Sequence, residues 1–255
     1  MKERFPVIAG AEAFFLKGNE IGILLSHGFM GTPQSVQYLG ERFFELGYSV
    51  FAPRLTGHGT HYHDLENATY SDWFSELEEG YLFLKEHCSV VFVMGQSMGG
   101  TLTLWLANKY SDIEGIALIN PALTLPSYEK WIGKSTPKYI EESAPDIKLK
   151  GVQEITYPKV PLKAIHQLQK LMKKTPEILP TIRTPLLAFK SSIDHVVPPE
   201  NTEYIWEQIG SKEKKVVTLH NSYHVASMDH DREQIVLHTH NFILVKLKES
   251  EKKSS

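Results

Sequence analysis

Gly95-Gln96-Ser97-Met98-Gly99 places a serine between two glycines, with the apolar run "VVFVM" before it and the helical pattern "GTLTLWLANKY" after it. The bare spacing G-x-S-x-G arises by chance in roughly one chain in ten of this length, so the flanks decide its meaning. A sharp strand-to-helix turn would strain the serine backbone and project its hydroxyl outward. The two glycines would keep Cβ atoms out of the crowded elbow. A serine hydroxyl is a weak nucleophile at neutral pH and needs a base within hydrogen-bond reach. Twelve histidines compete for that role. His224, in "LHNSYHVASMD", falls just after the β-rich "KVVTLH" and before the last helical pattern. His220 ends that strand, His230 sits beside helix-capping aspartates, and His238 and His240 lie inside the helix pattern. The orienting acid should follow the strand "PLLAFKSS", where "SSIDHVVPP" supplies Asp194, with Glu200 as its rival beyond two prolines. Asp229 and Asp231 read as N-cap and first-turn residues. Two backbone N–H groups should face a developing oxyanion: Met98, right after the serine, and Phe29, in "LLSHGFMGTP". His27 reads as a brace for that loop. His61 and His63 form a loop pair without carboxylate–histidine spacing, so no metal is expected.

Elements of an α/β fold must position these groups. Apolar runs alternate with helical patterns, the mark of a mainly parallel sheet covered on both faces. "AEAFFLK" and "IGILLSHG" flank Gly18-Asn19, which suggests a hairpin. A helix should run from about Pro33 to Leu46, followed by the strand "YSVFAP". "SDWFSELEEGYLFLKEH" reads as a helix capped by Ser71 or Asp72, with Trp73, Leu77, Tyr81 and Leu84 on its buried face. "SVVFVMG" lacks alternation and reads as a fully buried strand, and "EGIALIN" as another. From about 121 to 184 the rhythm breaks, and this segment reads as a small inserted cap within one domain spanning 1–255. Inside it, "VQEITY" looks extended, and "PLKAIHQLQKLMKK" is an amphipathic helix opened by Pro161. The rhythm resumes with "TPLLAFKSSID", a helix after Pro199, "KVVTLH", and a last helix from about Asp229 to Lys246. The tail, about 248–255, is rich in charge and reads as disordered.

The totals set limits. With 42% hydrophobic and 22% charged residues among 255, the chain can bury a sizeable core. A net charge of −3 with no long basic run gives no electrostatic support for nucleic-acid binding. The single Cys88 can form no internal disulfide and reads as a packed thiol. No apolar leader and no run of membrane-span length is visible, so a cytoplasmic protein without stable membrane insertion is expected.

Five stretches in order, "HGFMGTP", "RLTGHGT", "GQSMGG", "SSIDHVVPP" and "NSYHV", resemble the small bacterial carboxylesterases and monoacylglycerol lipases of the α/β-hydrolase superfamily. The resemblance runs from about residue 10 to 245 and extends to "YPKVPLKAI" in the cap. It implies the α/β-hydrolase fold and a cofactor-free esterase acting on a small ester or monoacylglycerol. Ser97, Asp194 and His224 would then be catalytic, with Phe29 and Met98 as oxyanion donors. Met30 departs from the pattern, which would place a smaller polar residue there. In the cap, Ile155, Tyr157, Val160, Leu162, Ile165 and Leu168 could line an acyl pocket or merely pack the cap onto the sheet. Phe29, Ile155, Tyr157 and Glu154 are the candidate substrate contacts; Glu154 could accept hydrogen bonds from a polyol leaving group such as glycerol, or be solvated. Lys163, Lys170, Lys173 and Lys174 suit either a solvated face or an anionic lipid surface. Acyl transfer or carbon–carbon hydrolysis on the same residues, or slow-turnover ligand binding, are the alternative functions. Acyl length and oligomeric state stay open.

Overall fold

The computed structural model describes residues 2–254. The elements run in the order β1 (Phe14–Leu16), β2 (Ile21–Ser26), α1 (Gln34–Glu45), β3 (Ser49–Ala52), α2 (Tyr62–Leu65), α3 (Tyr70–His87), β4 (Val90–Gln96), α4 (Met98–Lys109), β5 (Gly115–Ile119), α5 (Pro126–Glu129), β6 (Tyr139–Glu141), β7 (Lys159–Pro161), α6 (Leu162–Ile178), β8 (Leu186–Ser191), α7 (Glu200–Gln208), β9 (Lys214–Leu219) and α8 (Arg232–Ser254). Seven strands form one sheet in the order β1-β3-β2-β4-β5-β8-β9. Every neighbouring pair is parallel except β1 with β3.

Period-2 alternation along buried strands divides the core into two layers. Leu24, Val91, Val93, Ile116, Leu118 and Ala188 face α3, α4 and α7. Ile23, Leu25, Phe92, Met94, Ala117, Leu187 and Phe189 face α1 and α8. Between β5 and β8 the chain leaves the sheet. There β6 and β7 pair antiparallel in a small ribbon, and α6 packs Leu162, Ile165, Leu168 and Leu171 into the layer that holds α3 and α4. No helix among the described residues is long and apolar enough to cross a membrane.

Three expectations need correction and one gains detail. β1 does not form a hairpin with β2, because β3 lies between them. Gly18-Asn19 instead crosses the start of β3: Asn19 N–H donates to Gly47 O at 2.7 Å, and a Cβ on Gly18 would meet Gly47 O at 2.4 Å. The cap of α3 is Thr69, two residues before Ser71 and three before Asp72. Its hydroxyl accepts from Asp72 N–H while the Asp72 carboxylate accepts from Thr69 N–H, a reciprocal capping box. "VQEITY" joins no ladder; side chains fasten it, with Ile155 N–H donating to Gln34 Oε1 at 3.1 Å. Finally, α8 continues through the segment read as a disordered tail and ends at Ser254, while Ser255 lies outside the described residues. The reason is pairing with groups elsewhere in the fold as well as along the helix. Lys246, 6% exposed, binds the Glu213 and Glu249 carboxylates, and Ser250 donates to Glu114.

Candidate active site

The elbow after β4 is forced by its neighbours. A Cβ on Gly95 would stand 2.1 Å from Gly99 O, and one on Gly99 would stand 2.4 Å from Ser26 O. Ser97 between them has φ 55° and ψ −120°, a backbone that L-residues avoid. The strain is held by the next strand: Ser97 N–H donates to Ile119 O at 2.9 Å, and Ser97 O accepts Ala122 N–H at 3.2 Å. The hydroxyl therefore stands at the sheet's C-terminal edge, at the foot of α4.

The other two groups reach the same point from the loops after β8 and β9. Asp194 Oδ1 accepts Val196 N–H at 2.9 Å and Val197 N–H at 2.8 Å, which fixes the carboxylate. Its Oδ2 lies 2.8 Å from His224 Nδ1. An ionised carboxylate only accepts, so Nδ1 carries the proton and Nε2 has a free lone pair. That lone pair faces Ser97 Oγ at 3.0 Å. Three side chains far apart in sequence thus form one hydrogen-bonded chain able to withdraw the serine proton. All three are buried, with Asp194's side chain 1% exposed. Glu200, His220 and His230 take no part in it. Asp231 precedes α8 and accepts Ile235 N–H through its carbonyl, while the Asp229 carboxylate ties Tyr223 N–H to Lys148 and Leu149 N–H.

Opposite the serine, the loop after β2 passes close. A Cβ on Gly28 would lie 3.3 Å from Ser97 Cβ. Phe29 follows, and Met30 takes φ 66°, turning the chain back. Met98 is the first residue of α4, where N–H groups lack intrahelical acceptors and the helix dipole is positive. His27 braces the loop: Leu55 N–H donates to its Nε2 at 3.2 Å, and its Nδ1–H donates to Gly28 O at 2.9 Å. Complete burial lowers the His27 pKa to about 4, so the ring is neutral at pH 7.

These groups floor a cavity of about 360 Å³, whose roof carries Leu125, Tyr128, Trp131, Ile140 and Leu168; of the four acidic residues along it, Glu141, Glu142, Asp146 and Glu154, two have strongly shifted carboxyls, Glu142 and Glu154. Burial raises both carboxyl pKa values to about 7. Glu142 is raised further by the neighbouring charge of Glu154, whereas Ser35 and the imidazole of His224 pull Glu154 back. Gly31 makes room for Glu154; a Cβ there would stand 2.6 Å from its Oε1.

Two cap residues expected in the pocket lie elsewhere. Tyr157 is 4% exposed, and its hydroxyl donates to Gly57 O and accepts Thr60 N–H, both at 2.7 Å. It pins its own segment to the 54–60 loop. Ile155 points at Gly10, where a Cβ would lie 3.3 Å from its Cδ1. Val160, Leu162 and Ile165 pack into the core, and of that apolar set only Leu168 lines the cavity. Sequence reasoning passed over Glu142, Asn120 and Asp146. Asn120 has φ 43° and donates to His224 O at 2.8 Å and Ser191 Oγ at 2.9 Å. Its one signal was an asparagine at the end of "EGIALIN". Asp146 and Glu142 sit in irregular chain without a motif.

The family profile described as Hydrolase_4, serine aminopeptidase S33, matches residues 20–231. The chain belongs to this family. Within it, the chain is 46% identical to a thermostable monoacylglycerol lipase of Bacillus sp. (strain H-257) over 238 residues, 92% of this chain and 95% of that one. It is 26% identical to a carboxylesterase of Bacillus subtilis (strain 168) over 245 residues, 90% of this chain and 95% of the relative. Among solved structures, one from a study of the metagenome-derived lipolytic enzymes LipS and LipT superposes with a TM-score of 0.90 at 41% identity, covering 93% of this chain and 99% of that one. The mostly parallel seven-stranded sheet is the α/β-hydrolase fold of these relatives.

Proposed function

We propose that the chain is a serine esterase that hydrolyses carboxylic esters, monoacylglycerols or short-to-medium acyl esters, through an acyl-enzyme. The observation that carries this is the Asp194–His224–Ser97 hydrogen-bonded chain at the strained elbow, facing a pocket. The names of the relatives, a monoacylglycerol lipase and a carboxylesterase, support the same chemistry.

In this reading, His224 Nε2 takes the Ser97 proton as Oγ attacks the ester carbonyl. Asp194 holds the tautomer and stabilises the imidazolium. Phe29 and Met98 N–H groups receive the oxyanion; a donor of this kind contributes on the order of 3 kcal/mol to the transition state. The imidazolium then protonates the leaving alcohol, and water activated by the same ring releases the acid. Residues 121–184 act as the cap. Its apolar roof shelters the acyl chain, and Glu154 with Glu142 meets the alcohol. Two carboxyls with pKa values near 7 share protons at neutral pH, so together they both donate to and accept from a polyol's hydroxyls.

The test is a rate profile over nitrophenyl esters from two to sixteen carbons, beside mono-, di- and triacylglycerols and aminoacyl anilides, with fluorophosphonate labelling read by peptide mapping. Labelling at Ser97 and faster turnover of esters than anilides are expected. Anilide turnover exceeding ester turnover, or a label elsewhere, overturns the reading.

A further inference from the structure

The loop that carries His224 is held by a residue of the inserted cap. Asp146 Oδ2 accepts His224 N–H at 3.1 Å and His195 N–H at 3.1 Å. Its Oδ1 accepts His195 Nδ1–H at 2.8 Å, and its carbonyl accepts Val225 N–H at 3.1 Å. One oxygen thus bridges the main chain of His224 to that of the residue after Asp194. A second carboxylate answers from the other side. Asp229 Oδ2 accepts Tyr223 N–H at 2.9 Å and Lys148 N–H at 2.7 Å, while its Oδ1 accepts Leu149 N–H at 2.9 Å. Residues 146–149 therefore lie as a strap across 223–225, stitched by reciprocal carboxylates. The loops after β8 and β9 have left the sheet's ladder at these points, so nothing regular fixes their spacing.

We propose that Asp146 is a positioning residue through which the cap sets the spacing between His224 and Asp194. The inference rests on the proposed roles of Ser97, Asp194 and His224. A carboxylate accepting several main-chain N–H groups is a strong, directional anchor. Misplacing a reacting group by about 1 Å can cost on the order of 100-fold in rate.

The experiment compares D146A, D146N and H195A with the wild-type enzyme on nitrophenyl butyrate, reading kcat, KM, the rate of fluorophosphonate inactivation and the downfield proton resonance of His224 Nδ1–H. D146A should lower kcat about 10- to 100-fold with KM within threefold, slow inactivation in parallel, and shift or broaden the downfield line. D146N keeps one acceptor oxygen, folds most readily, and should lose at least threefold in kcat. H195A leaves the Asp146 carboxylate on the His224 main chain, removing the imidazole's bond to Asp146 and its ring contact with Tyr223, and should lose less kcat than D146A. A purely structural Asp146 would lower the melting temperature and leave these readouts of the folded enzyme alone. Wild-type kcat and an unmoved resonance in D146N or folded D146A overturn the proposal, as does a loss in H195A equal to that in D146A. Inactive wild-type enzyme would instead overturn the esterase reading itself.

Discussion

On the floor of the pocket, Ser97, Asp194 and His224 stand just past β4, β8 and β9 of one parallel sheet; on the roof, Glu142, Glu154 and Trp131 stand on chain outside any long element. Sheet ladders fix the floor strands to one another, and side-chain bonds fasten the roof. Buried ionisable groups differ in the same way. Under the floor, burial strips His27 of its proton, with a pKa of about 4. In the roof, desolvation lets the half-buried Glu142 and Glu154 hold theirs to higher pH than usual, with pKa values of about 7. Both follow from the cost of charge away from water, yet they make the two halves respond oppositely to acid.

The largest effect separates the halves directly. Ser97→Ala should leave the fold intact and reduce nitrophenyl butyrate turnover by about 10⁴-fold or more, since members of such a relay act as a unit. His224→Ala should do nearly as much. A variant at either position that retains a tenth of wild-type kcat would remove the floor from the chemistry.

Acid stability sharpens the contrast next. His27 binds its proton with a pKa near 6.5 when unfolded and about 4 when folded. Between those values the unfolded chain holds more protons, so stability falls as pH drops from 6.5 to 4, by about 3 kcal/mol in full. For Glu142 and Glu154, raised from 4.5 to about 7, the folded state holds more protons across that window. Their contribution rises as pH drops from 7 to 4.5. Urea unfolding from pH 7.5 to 4.5 should therefore show a flatter pH dependence in a His27→Gln variant and a steeper loss in Glu142→Gln/Glu154→Gln. Parallel curves for both variants would dissolve the distinction.

The same division governs what the amino-acid sequence reveals. Floor residues follow from local rules: glycines at an elbow, an acid and an imidazole just after strands, an N–H at a helix start. Ser97, Asp194 and His224 could be named because each sits at a strand end that hydrophobic periodicity marks. The order of strands was less visible, and Gly18-Asn19 suggested a hairpin because nothing local announces that β3 inserts beside β2. Roof positions were misjudged for a related reason. Ile155 and Tyr157 lie on chain without a period, so the direction of their side chains depends on distant partners, Gly10 for one and Gly57 with Thr60 for the other. The charge of the tail suggests disorder, and no local pattern announces that Lys246 meets Glu213 and Ser250 meets Glu114.

Tyr157 measures how far roof fastening is separable from catalysis. Tyr157→Phe removes a buried hydroxyl that serves Gly57 O and Thr60 N–H. Stability should fall by about 2 kcal/mol, while kcat on nitrophenyl butyrate changes less than twofold. A tenfold loss of kcat with unchanged stability would make Tyr157 part of the reactive floor after all.

The smallest predicted effect bears most on substrate choice. Glu154→Gln keeps the volume beside Gly31 and removes the titration near pH 7. If the carboxylate accepts hydrogen bonds from a polyol leaving group, kcat/KM for a monoacylglycerol should fall roughly tenfold at pH 8, matching the lower end for a bond to a charged acceptor. Nitrophenyl butyrate has no hydroxyl on its leaving group, so its kcat/KM should stay within twofold. The sign with pH follows from the raised pKa: Glu154 is ionised above about 7, so the gap between wild type and variant should widen from pH 6 to pH 8. An equal loss on both esters would mean that the glutamine disturbs His224 across the cavity instead of the alcohol, and the roof would then be coupled to the floor through charge as well as through the strap.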